Sequence, residues 1–149
     1  MKILIAIDGS ECSSDTVAGV LQIPWPPDTK LRVLTVAGQK GVPSMLEVMS
    51  SGGSLSAVRA DTKSIAEAIS NSAAAELRSA GLAAETVVLE GDPKKLIPEE
   101  AAEWGADLVV AGCYGHSGVK RLLVGSVAQA IAATAPCSVL IVRRRQDSE

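Results

Sequence analysis

Ile3-Leu4-Ile5-Ala6-Ile7-Asp8-Gly9-Ser10 opens with five apolar residues in a row and then breaks on Asp-Gly-Ser. A strand with one wet face alternates apolar and polar residues, whereas a strand covered on both faces does not. Leu108 to Ala111 and Val139 to Val142 are equally continuous, and Leu31 to Ala37 forms a fourth apolar run. Thr86-Val87-Val88-Leu89-Glu90 is more mixed and reads as a fifth strand at an edge.

Helical patterns separate these runs. Val17, Val20 and Leu21 form one stripe, ended by Pro24. Ile65, Ile69, Ala73 and Leu77 recur every fourth residue, with Gly81 where a left-handed cap belongs. Asp92-Pro93 reads as an N-cap followed by proline at the first helical position, with Ile97, Ala101 and Trp104 facing inward and Pro98 inside the pattern. Ser126 is expected to cap a last helix carrying Val127, Ala130 and Ile131, which stops before Pro136. Strands that alternate with helices need crossover connections, so the expected fold is α/β with a doubly wound parallel sheet. The stretch 38–56 fits this scheme least. Met45 to Met49 allows a helical turn, but Ser50-Ser51-Gly52-Gly53-Ser54 reads as a flexible loop.

A chain of 149 residues fits one domain, 1–149. Hydrophobic residues make up 47%, aromatics only 2%, and Phe is absent, so the core must be aliphatic. The net charge of -3 argues against a nucleic-acid partner, which calls for a basic face. Arg143 to Arg145 form a short basic run read as a solvated end. No apolar stretch approaches the ~20 residues that span a bilayer, and the first residues do not resemble a signal peptide. Cys12, Cys113 and Cys137 are odd in number and lack metal-type spacing. They read as reduced thiols of a cytoplasmic protein, with Cys113 an incidental thiol on a loop open to exposure.

Ligands of open parallel sheets bind beyond the carboxyl ends of the strands, where chain direction reverses. The first strand delivers Asp8-Gly9-Ser10 there, the second Thr35-Val36-Ala37, and the fourth Gly112-Cys113-Tyr114-Gly115. The last of these opens a loop that closes at Gly125-Ser126 on a helix N-terminus. Gly112 and Gly115 remove side chains where an anion approaches backbone, and Gly125-Ser126 present N–H groups at the positive end of a helix dipole. His116, Lys120 and Arg121 add cationic character. Each residue alone also fits a turn, a cap or a solvated charge; their presence on one loop is what points to phosphate. Asp8 would be repelled by phosphates and suits a ribose hydroxyl or an adenine amine, the alternative being a turn into the first helix.

Gly112-x2-Gly115-x9-Gly125-Ser126 resembles the G-x2-G-x9-G-[ST] pattern of the ATP-binding branch of the universal stress protein family. The likeness extends over Met1 to Ser10, Gly91-Asp92-Pro93, and Gly115 through Val142, leaving out 38–56. The resemblance implies a Rossmann-like, adenine nucleotide alpha hydrolase-like sheet of five parallel strands in the order 3-2-1-4-5. It implies that Asp8 meets the nucleoside, that the Val36 backbone meets adenine, and that Gly112, Gly115, Gly125 and Ser126 hold phosphates, with Val127 next on the helix. His116 stands where the family often has a basic residue. ATP with Mg2+ or Mn2+ on its phosphates is the implied ligand, and a homodimer through the 137–142 strand the implied assembly. Thr35 departs from the family's frequent His, and Cys113-Tyr114 from its small polar pair.

Catalytic signatures are missing. There is no G-x-x-x-x-G-K-[ST], no H-E-x-x-H, and the single His has no evident carboxylate partner in sequence. Ser51-Gly52-Gly53-Ser54-Leu55-Ser56 resembles the SGGxDS pyrophosphate loop of ATP-using synthetases, but Leu55 replaces its Asp and the segment follows the second strand. A regulatory ATP-binding protein is therefore expected, not an enzyme, with slow hydrolysis left open. The alternative is a nucleotide-free dimeric interaction protein of the same fold.

Overall fold

A computed structural model describes residues 1–38, 45–113 and 124–143, with the side chains of 45–47 left out. The chain runs β1 (Lys2–Ile7), α1 (Glu11–Leu21), β2 (Lys30–Ala37), α2 (Met45–Ser50), α3 (Leu55–Ser79), β3 (Ala83–Glu90), α4 (Pro93–Trp104), β4 (Leu108–Gly112), α5 (Ser126–Thr134) and β5 (Ser138–Val142). All five strands are parallel, in the order β3-β2-β1-β4-β5. Direction across the sheet reverses between β1 and β4.

The sheet explains its own sequence pattern. Ile3, Ile5 and Ile7 of β1 point into a core shared with Val17 and Val20 of α1 and with Ala73, Ala74 and Leu77 of α3. Leu4 and Ala6 point the other way, into a core with Ile97 and Ala101 of α4 and Ile131 of α5. Helices on both faces leave β1 no wet side, hence its unbroken apolar run. β3 is an edge strand and three residues longer at its start than its apolar signal, because Ala83 and Glu85 are exposed.

The expected helix boundaries hold where capping chemistry is strong. Asp92 accepts the Lys94 amide at 3.0 Å with Pro93 at the first position, and the helix runs on through Pro98 to Trp104. Gly81 follows α3 with φ of +85°, a conformation in which a Cβ would be strained.

Two expectations are corrected. The helical turn allowed at Met45 to Met49 is present as α2, but α3 already begins at Leu55, inside the stretch 38–56 read as a flexible loop. Ala57, Arg59, Ala60 and Lys63 favour helix without making an apolar stripe, so periodicity misses this start. Ile65, the first residue of the four-residue stripe, is 62% exposed, so the stripe starts to pack only at Ile69. Helix α3 runs antiparallel to the strands, and Ile69 lies level with Gly9, just past the end of β1. Residues 55–64 therefore overhang the carboxyl edge of the sheet, by about 15 Å at 1.5 Å per residue.

Candidate functional site

The carboxyl edge at the β1/β4 reversal is built from three strand ends. At the end of β1, Asp8 is half-buried in a tight turn. Its Oδ1 accepts the Ser10 amide and the Ser13 hydroxyl, each at 3.0 Å. Gly9 has φ of +80°, and a Cβ there would stand 2.5 Å from Ile69 Cδ1 of α3. The backbone conformation favours glycine, and any side chain there would push the end of Ile69 aside. Ser10 is the N-cap of α1, but its side chain makes no cap bond. Its hydroxyl oxygen is shielded from water and has no hydrogen-bond partner among the described residues. Ser10 and Ser13 also line a groove of about 370 Å³ between α1 and α3, with Ile69 and Glu76 on the α3 side.

At the end of β2, the register with β1 stops at Thr35 opposite Ile7. Pairing with β3 continues through Val36 and Ala37. Beyond β1, then, β2 is bordered by a strand on one side only, and Val36 sits on the resulting step. Its side chain packs half-buried against the α4/α5 core, and its backbone borders the step.

At the end of β4, Gly112 pairs with Val142. A Cβ on Gly112 would lie 3.0 Å from Thr16 Oγ1 and 3.1 Å from Cys12 Cβ, so this glycine admits α1 against the sheet. The sequence motif had assigned its missing side chain to phosphate approach. Cys113 is 1% exposed, which corrects the expectation of an accessible loop thiol. Its amide donates to the Val142 carbonyl at 2.9 Å, and its carbonyl accepts the Gly125 amide at 2.7 Å. The loop that leaves β4 is thus tied shut at its base. Gly115 and His116, with Lys120 and Arg121, lie outside the described residues.

Gly125, not Ser126, is the N-cap of α5, with φ of -58° and ψ of 155°. Ser126 is the first helical residue and is exposed. The cap moves because the Gly125 carbonyl already accepts the Gln129 amide at 2.9 Å, the first bond of the helix. Gln129 Nε2 also donates to the Val124 carbonyl at 2.6 Å. Val127 turns inward onto the α4/α5 core. The first turn of an α-helix has amides that no intrahelical acceptor can meet, and here they stand beside the β4 end.

The family profile of the universal stress protein family matches residues 1–143. Over 146 residues the chain is 30% identical to universal stress protein YxiE of Bacillus subtilis, covering 95% of this chain and 98% of that protein. The chain belongs to the universal stress protein family. Its fold matches universal stress protein UspA from Lactobacillus plantarum with a TM-score of 0.79 at 21% identity, over 96% of this chain and 97% of that one. A universal stress protein in complex with cAMP is 26% identical, with a TM-score of 0.64 over 95% of each chain.

Against the universal stress protein pattern, the Thr35 departure has a structural reason. Thr35 is buried, and its hydroxyl accepts from Ser70 Oγ of α3 at 2.7 Å. A bulky imidazole would have to displace that contact. Sequence reasoning missed this pair, since nothing in Thr35 or Ser70 alone predicts a bond across 35 positions. It also missed Ser13, whose signal was available as Asp8-Gly9-Ser10-x-x-Ser13. Among the described residues no three His, Cys, Asp or Glu side chains cluster as a metal site, and no helix is long and apolar enough to cross a membrane.

Proposed function

We propose that this universal stress protein is a regulatory binding protein for ATP rather than an enzyme, and that Mg2+ or Mn2+ comes with the nucleotide. The observation that carries the reading is the convergence at the β1/β4 reversal. A structured carboxylate turn at Asp8 stands on one side, and the α5 N-terminus, tied through Gly125 to the end of β4, on the other. The first arrangement suits a nucleoside, the second an anion. The step at Val36 offers backbone for adenine. The 26%-identical relative in complex with cAMP supports an adenine nucleotide on this fold.

Titration calorimetry with ATP and GTP under saturating magnesium tests the proposal. ATP is expected to bind more tightly, because backbone groups at Val36 can match the adenine edge but not the guanine edge. Equal affinities, or no heat with either nucleotide, overturn it. The second reading, a nucleotide-free dimeric interaction protein, draws on the half-buried apolar face of edge strand β5.

A further inference from the structure

We infer that Ser13 is the positioning residue for Asp8, setting how well the nucleoside half of the ligand is held without touching the ligand itself. The inference rests on the ATP reading. The Ser13 hydroxyl donates to Asp8 Oδ1 at 3.0 Å and accepts the Asp8 and Gly9 amides, also at 3.0 Å. A hydroxyl has one proton to donate and two lone pairs, so these three bonds use its whole capacity. Ser13 is 8% exposed and has nothing left to offer a ligand. What it does is fix the carboxylate relative to the backbone of the same turn. From the other side Ile69 closes on Gly9, so the turn is held between α1 and α3. Asp8 is thereby oriented before a nucleotide arrives, which spares the ordering cost that a mobile carboxylate would impose on binding.

The test is a double-mutant cycle read by ATP affinity, with Ser13→Thr as rescue and thermal unfolding as a check on the fold. Ser13→Ala is expected to weaken ATP about ten-fold, the equivalent of one net hydrogen bond. Ser13→Thr keeps the hydroxyl, and its extra methyl has the α1/α3 groove to enter, so affinity should return to within about two-fold of wild type. In an Asp8→Ala background, Ser13→Ala should add almost nothing, because residues acting through one contact are non-additive. An effect of the same size with and without Asp8, or no effect of Ser13→Ala on ATP, overturns the inference. A wild type that binds no ATP overturns the nucleotide reading itself, and the inference falls with it.

Discussion

Gly112 approaches α1 so closely that a methyl group on it would meet the Thr16 hydroxyl at 3.0 Å. Thr16 is fully buried, and its hydroxyl is already engaged with the Cys12 carbonyl at 2.6 Å, so it cannot move aside freely. Gly112→Ala should therefore destabilise the fold by about 1–3 kcal/mol, as overpacking does. Urea denaturation checks it; unchanged stability would mean that α1 yields at no cost. A loss of ATP binding in this variant must be corrected for that destabilisation before the glycine is placed at the phosphates.

Gly125 and Ser126 should behave differently. Gly125 is the N-cap at negative φ and Ser126 is the first helical residue, so Ser126 does not supply the cap. Ser126→Ala should change stability by less than about 0.5 kcal/mol while weakening ATP several-fold. A change in melting temperature without a change in ATP affinity would remove Ser126 from the phosphate site.

At the opposite end of the sheet, Arg32 bridges Glu85 and Glu100 at 2.6 Å each and lies over the Trp104 ring at 4.4 Å. Glu100 is buried, so removing its cation strands a carboxylate away from water. Arg32→Met should cost on the order of 3 kcal/mol. Arg32→Lys should recover only part of it, because an ammonium cannot serve two carboxylates and stack on a ring at once. Full recovery by Lys, seen in chemical denaturation, would contradict the geometry.

Burial and the nearby Asp107 carboxylate push the Cys137 thiol pKa up, against a lowering contribution from the Val109 backbone. The neutral thiol is thus favoured in the folded protein, and stability from this group is present below the unfolded thiol's pKa and lost as pH rises through the raised value. At pH 8, iodoacetamide should modify Cys137 more slowly in the folded protein than in urea, as peptide mapping would read. Equal rates would contradict the raised pKa.

The chain is expected to be a homodimer through β5. This strand lies at an open edge of the sheet, and Val139, Leu140, Ile141 and Val142 remain half-buried. Open strand groups favour pairing with a second copy about a two-fold axis. Light scattering should give a dimer for wild type and a monomer for Ile141→Pro, whose amide lies on the open side because the Val142 carbonyl faces β4. A monomeric wild type at micromolar concentration rejects the assembly.

Most of the architecture was legible because the cores sit on both faces of the sheet and write themselves into the sequence as unbroken runs, as at Ile3–Ile7. The N-cap at Asp92 was legible because its chemistry is local. The start of α3 was not, since residues 55–64 overhang the sheet and have no core to pattern them. At the site, Asp8 and Val36 were placed correctly at strand ends. The role of Gly112 in admitting α1 was hidden, because a motif records that a side chain is missing but not which neighbour excludes it. Ser13 was missed because a serine inside a helix looks like any other polar residue unless its spacing from Asp8 is read as a turn that closes on itself.

The strand order has a consequence for how the protein is made. The first strand synthesised, β1, is the central one. As the chain leaves the ribosome, β1 can pair with β2 and then β3, but its other edge stays open until residues 108–112 of β4 emerge. For that interval the nascent half-sheet carries a bare apolar edge, the state in which neighbouring chains stick together. Pairing with β4 only moves that edge outward, so the hazard eases when α5 and β5 are in place as well. A ribosome stalled before Leu108 should hold a chain that binds chaperones, and one stalled after residue 142 has cleared the exit tunnel should hold a chain that binds them less.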